Sequence, residues 1–264
     1  ACEAVWEAAC EEVCMSASEC GEDQIDQLDR DERQQHAADA VAGIIAAHVV
    51  PCTLEFLDNN TIVRVDDFTK AGLPREAGAI LLIEVDGHPA QVADDAEAVE
   101  KVLKANHATA VHVPKDAAEK FKLWEARRMA LPVLARARPT TVLEDATVPR
   151  SQIPAMVKAV NDIAAKYRLE VGTFGHAGDG NLHPTFLCDK RDADEFKRVE
   201  EAIDEMFDTA IKLKGTLSGE HGIGTAKSKW MEKETSRGTI LFSQRLRRAL
   251  DPKGLLNSTK LVGI

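Results

Sequence analysis

Apolar positions along this chain repeat with two periods, and the switches between them mark its elements. The run Ala79-Ile80-Leu81-Leu82-Ile83-Glu84-Val85, stopped by Asp86-Gly87, is the strongest strand signal. Alternation at 53–57 predicts a second strand. Further strands are predicted at 108–113, 140–148, 169–174 and 182–187; prolines at 114 and 149 close two of them. A helical period predicts helices over 37–49, 59–68, 94–105, 115–136, 152–167, 192–214 and 230–250. In the 152–167 segment Ile153, Met156, Val157, Val160 and Ile163 share one face. Pro132 predicts a kink in the helix over 115–136.

Strands and helices therefore alternate, which by itself suggests a parallel α/β sheet. The segment 169–187 argues otherwise. It runs strand, glycine-rich turn, strand, as antiparallel neighbours do. A mixed α+β sheet with helices on one face fits equally well.

Residues 1–35 differ from the rest. They are acidic, rich in cysteine and weakly patterned, so a boundary is expected between 35 and 36, with one regular domain over 36–264. Cys2, Cys10, Cys14 and Cys20 crowd there, at spacings of neither paired zinc motifs nor iron–sulfur runs. They read as incidental reduced thiols, and Cys188 reads as a small core residue. The hydrophobic content of 44% is enough for a core. The net charge of -11 argues against a nucleic-acid surface, which needs a basic patch. No stretch approaches the ~20 apolar residues of a membrane span, and no secretory signal opens the chain. A cytoplasmic setting is the expectation.

The chemistry concentrates in two glycine-rich segments. One is Gly175-His176-Ala177-Gly178-Asp179-Gly180-Asn181-Leu182-His183; the other is Ser218-Gly219-Glu220-His221-Gly222-Ile223-Gly224. Imidazole and carboxylate suit a borderline divalent metal, and glycine lets the chain bring such groups together. A phosphate nest over 175–180 is the competing reading. No Lys or Arg adjoins that turn, and Asp179 would repel an anion. Glu220 and His221 are consecutive, so on extended backbone one faces a metal while the other faces a substrate. Arg127 and Arg128 form either an exposed helix face or a clamp for a carboxylate. The spacing of Gly219, Gly222 and Gly224 does not match the dinucleotide fingerprint.

Three of these stretches together carry a resemblance. GHAGDGNLHP, SGEHGIGTAK and the terminal Leu250-Asp251-Pro252-Lys253-Gly254-Leu255-Leu256-Asn257 resemble the C-terminal half of FAD-linked oxidases. The likeness is to the glycolate oxidase flavoprotein subunit and to D-lactate and D-2-hydroxyglutarate dehydrogenases. Leu54-Glu55-Phe56-Leu57-Asp58 and Leu143-Glu144-Asp145-Ala146-Thr147-Val148-Pro149 also fit.

The resemblance implies an α+β fold, an antiparallel sheet flanked by helices, of the ferredoxin-like cap type. It implies that His176, His183 and Glu220 hold a divalent metal (zinc, iron or manganese), that His221 is the general base and that Arg127 binds the substrate carboxylate. Asn257 would lie in a tail that returns to the flavin domain. The implied cofactor is FAD, and the implied substrate is a small 2-hydroxy acid. The flavin-binding domain of this family lies N-terminal to such a region, so the 264 residues alone are expected not to oxidise a 2-hydroxy acid. A flavin-binding domain or subunit is the expected partner, and a homodimer through the uncovered surface is a second expectation. Readings from other classes are a stand-alone metal-dependent hydrolase and a non-catalytic subunit docked on a separate flavoprotein.

Overall fold

A computed structural model of the chain describes residues 11–16, 25–258 and 260, with side chains from Asp31 onward. Its centre is an antiparallel sheet. In chain order the strands are β1 (Glu11–Ser16), β2 (Thr53–Asp58), β3 (Ala79–Val85), β4 (Ala110–His112), β5 (Thr140–Leu143), β6 (Ala146–Thr147), β7 (Glu170–His176) and β8 (Asn181–Cys188). They lie in the order β4-β1-β3-β2-β7-β8-β5, with β6 pairing β8. Every pairing is antiparallel, as the turn at 169–187 suggests.

The helices are α1 (Ile25–Ala46), α2 (Asn59–Thr69), α3 (Pro89–Ala105), α4 (Ala117–Arg128), α5 (Ala130–Ala137), α6 (Ile153–Tyr167), α7 (Ala193–Lys212), α8 (Met231–Glu234) and α9 (Arg237–Leu250). They cover both faces of the sheet, not one. On one face Leu54, Phe56, Leu81, Ile83 and Phe186 pack with α1, α3, α6 and α7. On the other face Leu57, Ile80, Leu82, Phe174 and Leu187 pack with α2, α4 and α5. The period of two within β2 and β3 produces this division, because alternate residues point to opposite sides. Both faces are buried, so these strands are almost wholly apolar and hide the alternation a one-sided sheet would show.

Several boundaries differ from expectation. The composition break at 35/36 is no structural break: α1 runs through it from Ile25, and the backbone of Glu11–Ser16 sits in the sheet between β3 and β4. Buried Gln34, Ala37, Ala38, Val41 and Ile44 show why the helix passes the boundary unbroken. Cys2, Cys10 and Cys20 lie outside the described residues. Cys188 is buried in the core, as expected. The helix expected over 115–136 is two helices joined at Met129. Pro132 does not kink it; it sits in the first turn of α5, where its missing N–H leaves no bond unmade. The strand expected over 140–148 is interrupted at Glu144-Asp145. The helix expected over 230–250 breaks ahead of Ser236, whose side chain accepts a bond from Thr239 N and caps α9. No helix among the described residues is long and apolar enough to cross a membrane.

Candidate active site

β7 and β8 form a hairpin in which Phe174 pairs His183 and His176 pairs Asn181. His176 and His183 are therefore diagonal neighbours on one face of the sheet, and their rings meet edge-on at 5.4 Å. Tight backbone makes this possible. A Cβ on Gly175 would lie 2.5 Å from Asn181 O, and Gly180 turns the chain at φ +81 against Val148 O.

The loop 216–224 closes over this hairpin. Two carboxylates hold it: Glu234, which accepts from Thr216 Oγ1 (2.7 Å) and Leu217 N (2.8 Å), and Asp145 at the break between β5 and β6. Asp145 Oδ2 accepts from Ser218 Oγ (3.1 Å), His221 N (3.0 Å) and Lys227 Nζ (3.4 Å). Lys227 Nζ also donates to Leu217 O at 2.9 Å and lies 3.5 Å from Glu144 Oε2. Lys227 is 4% exposed and Asp145 is fully buried. Burial alone would raise Asp145. The His183 side chain, the His221 N–H and the Lys227 charge outweigh it and hold the group well below the ordinary carboxylate range. For Glu144 burial prevails over Lys227, and its acidity is weakened.

The three histidines and Glu220 come together. Glu220 Oε1 lies 3.0 Å from His183 Nε2 and 3.5 Å from His176 Nε2. The rings of His183 and His221 stack at 5.0 Å. A carboxylate stands behind each imidazole: Glu55 Oε1 is 2.7 Å from His176 Nδ1, and Asp145 Oδ1 is 3.3 Å from His183 Nδ1 and 3.2 Å from His221 Nδ1. A carboxylate accepts, so His176 Nδ1 carries a proton, and in the neutral ring Nε2 presents a lone pair. Among the described residues His183 Nδ1 makes no hydrogen bond, although Asp145 Oδ1 is 3.3 Å away; with the proton on Nδ1, its Nε2 lone pair faces a carboxylate oxygen.

A cation relieves that opposition. Two ligands at about 2.1 Å from a tetrahedral ion stand about 3.4 Å apart, and the spacings of 3.0 and 3.5 Å bracket this value. Carboxylates behind ligating imidazoles are the usual support of such sites. The two spacings to Glu220 thus suit a divalent metal. A tighter quartet of possible ligands is Asp145, His183, Glu220 and His221, all within 4.8 Å of one another. It is the poorer candidate, because Asp145 Oδ2 is already spent on the loop and Oδ1 faces the rear nitrogens of both rings.

Arg127 lies beside this cluster. It bonds Glu55 Oε2 through Nε (2.8 Å) and Nη2 (2.7 Å) and lies over the Phe174 ring. Arg127, Arg128, Trp124, Leu131, Leu143 and the three histidines line a cavity of about 370 Å³. Asn257 stands apart. It is exposed in the tail after α9, where its carbonyl accepts from Arg247.

Sequence reasoning singled out the three histidines, Glu220 and Arg127, and the structure brings them together. It missed Glu55, Asp145 and Lys227. A signal existed for the first: Glu55 is an acid in an otherwise apolar strand core.

Residues 32–261 match the family described as FAD linked oxidases, C-terminal domain. The chain belongs to this family. Over 225 residues it is 51% identical to glycolate oxidase subunit GlcD of Bacillus subtilis (strain 168), covering 85% of this chain and 48% of that protein. It is 38% identical to glycolate oxidase subunit GlcD of Escherichia coli (strain K12), covering 84% and 44%. It is 28% identical to the mitochondrial D-lactate dehydrogenase (cytochrome) of Kluyveromyces lactis, covering 86% and 40%. This FAD-linked oxidase chain thus spans about half the length of the curated relatives it matches. Among solved structures, p-cresol methylhydroxylase with bound substrate shares the fold at a TM-score of 0.62 and 12% identity, covering 96% of this chain and 53% of that one. 4-Ethylphenol oxidase from Gulosibacter chungangensis does so at 0.63 and 10%, covering 97% and 54%.

Proposed function

We propose that this FAD-linked oxidase domain grips and deprotonates a small 2-hydroxy acid of the glycolate or D-lactate type for oxidation by FAD. The observation that carries the reading is the convergence of His176 Nε2 and His183 Nε2 on Glu220 Oε1, at a cavity that Arg127 and the three histidines line. The likeness to glycolate oxidase subunit GlcD supports the substrate class.

His176, His183 and Glu220 are the residues that would hold a divalent ion (zinc, iron or manganese). When bound, such an ion supplies Lewis acidity that eases removal of a hydroxyl proton. The cofactor FAD supplies the hydride-accepting ring, and protein groups orient the partners. Arg127 takes the substrate carboxylate, since a guanidinium has five N–H donors and only two are spent on Glu55. His221 removes the hydroxyl proton at Nε2, because its Nδ1 faces Asp145 Oδ1. Leu131, Leu143 and Phe174 form the apolar part of the wall and limit substrate size. Asn257, on the exposed tail, faces the flavin-holding partner.

The test compares the protein with His176→Ala and His221→Asn. His176→Ala is expected to lose its divalent ion by elemental analysis. In the flavin-bearing protein, His221→Asn is expected to keep the ion while turnover falls by about 10²–10⁴-fold. Equal metal content in the protein and His176→Ala would end the ligand assignment. Unimpaired turnover in His221→Asn would remove it from the base role.

A further inference from the structure

Glu55 needs an explanation. Its side chain is 7% exposed, and Leu54, Phe56 and Leu57 beside it are all core residues. Burying a lone carboxylate costs several kcal/mol unless it is paired and hydrogen-bonded. An ion pair stitching α4 to β2 would need only Arg127 on one oxygen. Here the second oxygen is committed too, to the imidazole of His176 at 2.7 Å. The placement follows from strand register: Phe56 pairs Gly175, so the next residues along, Glu55 and His176, stand opposite one another.

We propose that Glu55 is a positioning residue that fixes the separation of Arg127 and His176 and sets the tautomer of that imidazole. Oε2 orients the guanidinium by accepting from Nε and standing 2.7 Å from Nη2, and Oε1 holds Nδ1–H. Both consequences reach the cavity. The arginine presents its remaining donors at a fixed place, and the imidazole presents Nε2 as a lone pair. One carboxylate thereby sets the reach between the groups that bind the two ends of a 2-hydroxy acid. The inference rests on the roles proposed above for Arg127 and His176, but the tautomer does not depend on them.

Glu55→Gln is the informative change. Its amide oxygen still accepts from Arg127, while its NH₂ donates toward His176 and requires a lone pair at Nδ1. The first measurement is the ¹⁵N shift pattern of the His176 ring, read without added metal. The wild-type ring is expected to be protonated at Nδ1, and the Glu55→Gln ring at Nε2. The second is zinc affinity by chelator competition, expected to weaken by about 10–100-fold in Glu55→Gln. A wild-type ring with no proton at Nδ1 overturns the proposal, and this needs no variant to fold. So does an unchanged ring in a Glu55→Gln protein of native circular dichroism. A tautomer that switches in a chain that binds no zinc supports the positioning role and tells instead against the metal reading.

Discussion

At the scale of single residues, buried acids do most of the organising. Asp58 illustrates the cost. It caps α2 by accepting from Thr61 N at 2.8 Å and also accepts from Thr173 N at 2.6 Å. Burial nonetheless pushes it up to about 6, despite the bonds from Thr61 and Thr173. The folded state therefore binds more protons than the unfolded chain between the ordinary carboxylate value and 6. Its contribution is complete below that ordinary value and is lost as pH rises through 6, a change of about 3 kcal/mol. Asp58→Asn removes the titration but sets an amide donor against Thr173 N–H. We expect the variant to be less stable than wild type at pH 4, with the gap closing toward pH 7. Urea midpoints across that range decide it, and a constant gap would refute the assignment. His176, His183, Glu220 and His221 were legible because glycine and histidine together are an unusual pattern. Glu55 and Asp145 were not, because an acid's role depends on which strand faces it, and register is a tertiary fact.

At the scale of elements, the turns decide where side chains point. Gly180 and Gly222 both have positive φ, but their surroundings differ. A Cβ on Gly180 would lie 2.1 Å from Val148 O, whereas one on Gly222 meets nothing within 4 Å. Gly222→Ala is expected to cost only the left-handed strain, about 1–2 kcal/mol. Gly180→Ala adds a backbone clash that must move the hairpin or β6, so its loss is larger. Equal losses in chemical denaturation would contradict this. The hairpin itself was readable, since two apolar runs flank a glycine turn. The break between α4 and α5 was not, because both helices are apolar toward one core and no glycine marks Met129. Likewise β5 and β6 read as one strand. Their interruption turns Asp145 under the loop, where it meets Lys227 across 82 positions of sequence.

At the scale of the whole molecule, the site draws on five separated segments around residues 55, 127, 145, 176–183 and 220. All lie on the sheet face covered by α2, α4 and α5 or in the loop that closes over it. Fold class came from short motifs and a strand-turn-strand pattern. The covering of both faces did not, because periodicity assigns each element a buried side but not its neighbours. α9 leaves Leu241, Phe242, Leu246 and Leu250 exposed, which fits a chain spanning about half of its relatives. The sealed amine of Lys227 has a use beyond holding the loop. Lys70 and Lys101 stand open to water, with side chains 74% and 72% exposed, so an acylating reagent reaches them directly. Lys227 is acylated only in molecules whose 216–224 loop has lifted. Its labelling, followed by mass spectrometry, should lag well behind theirs and slow further when zinc is added. Equal rates would mean that the loop stands open. That one amine is a built-in clock for how often the histidine cluster is uncovered.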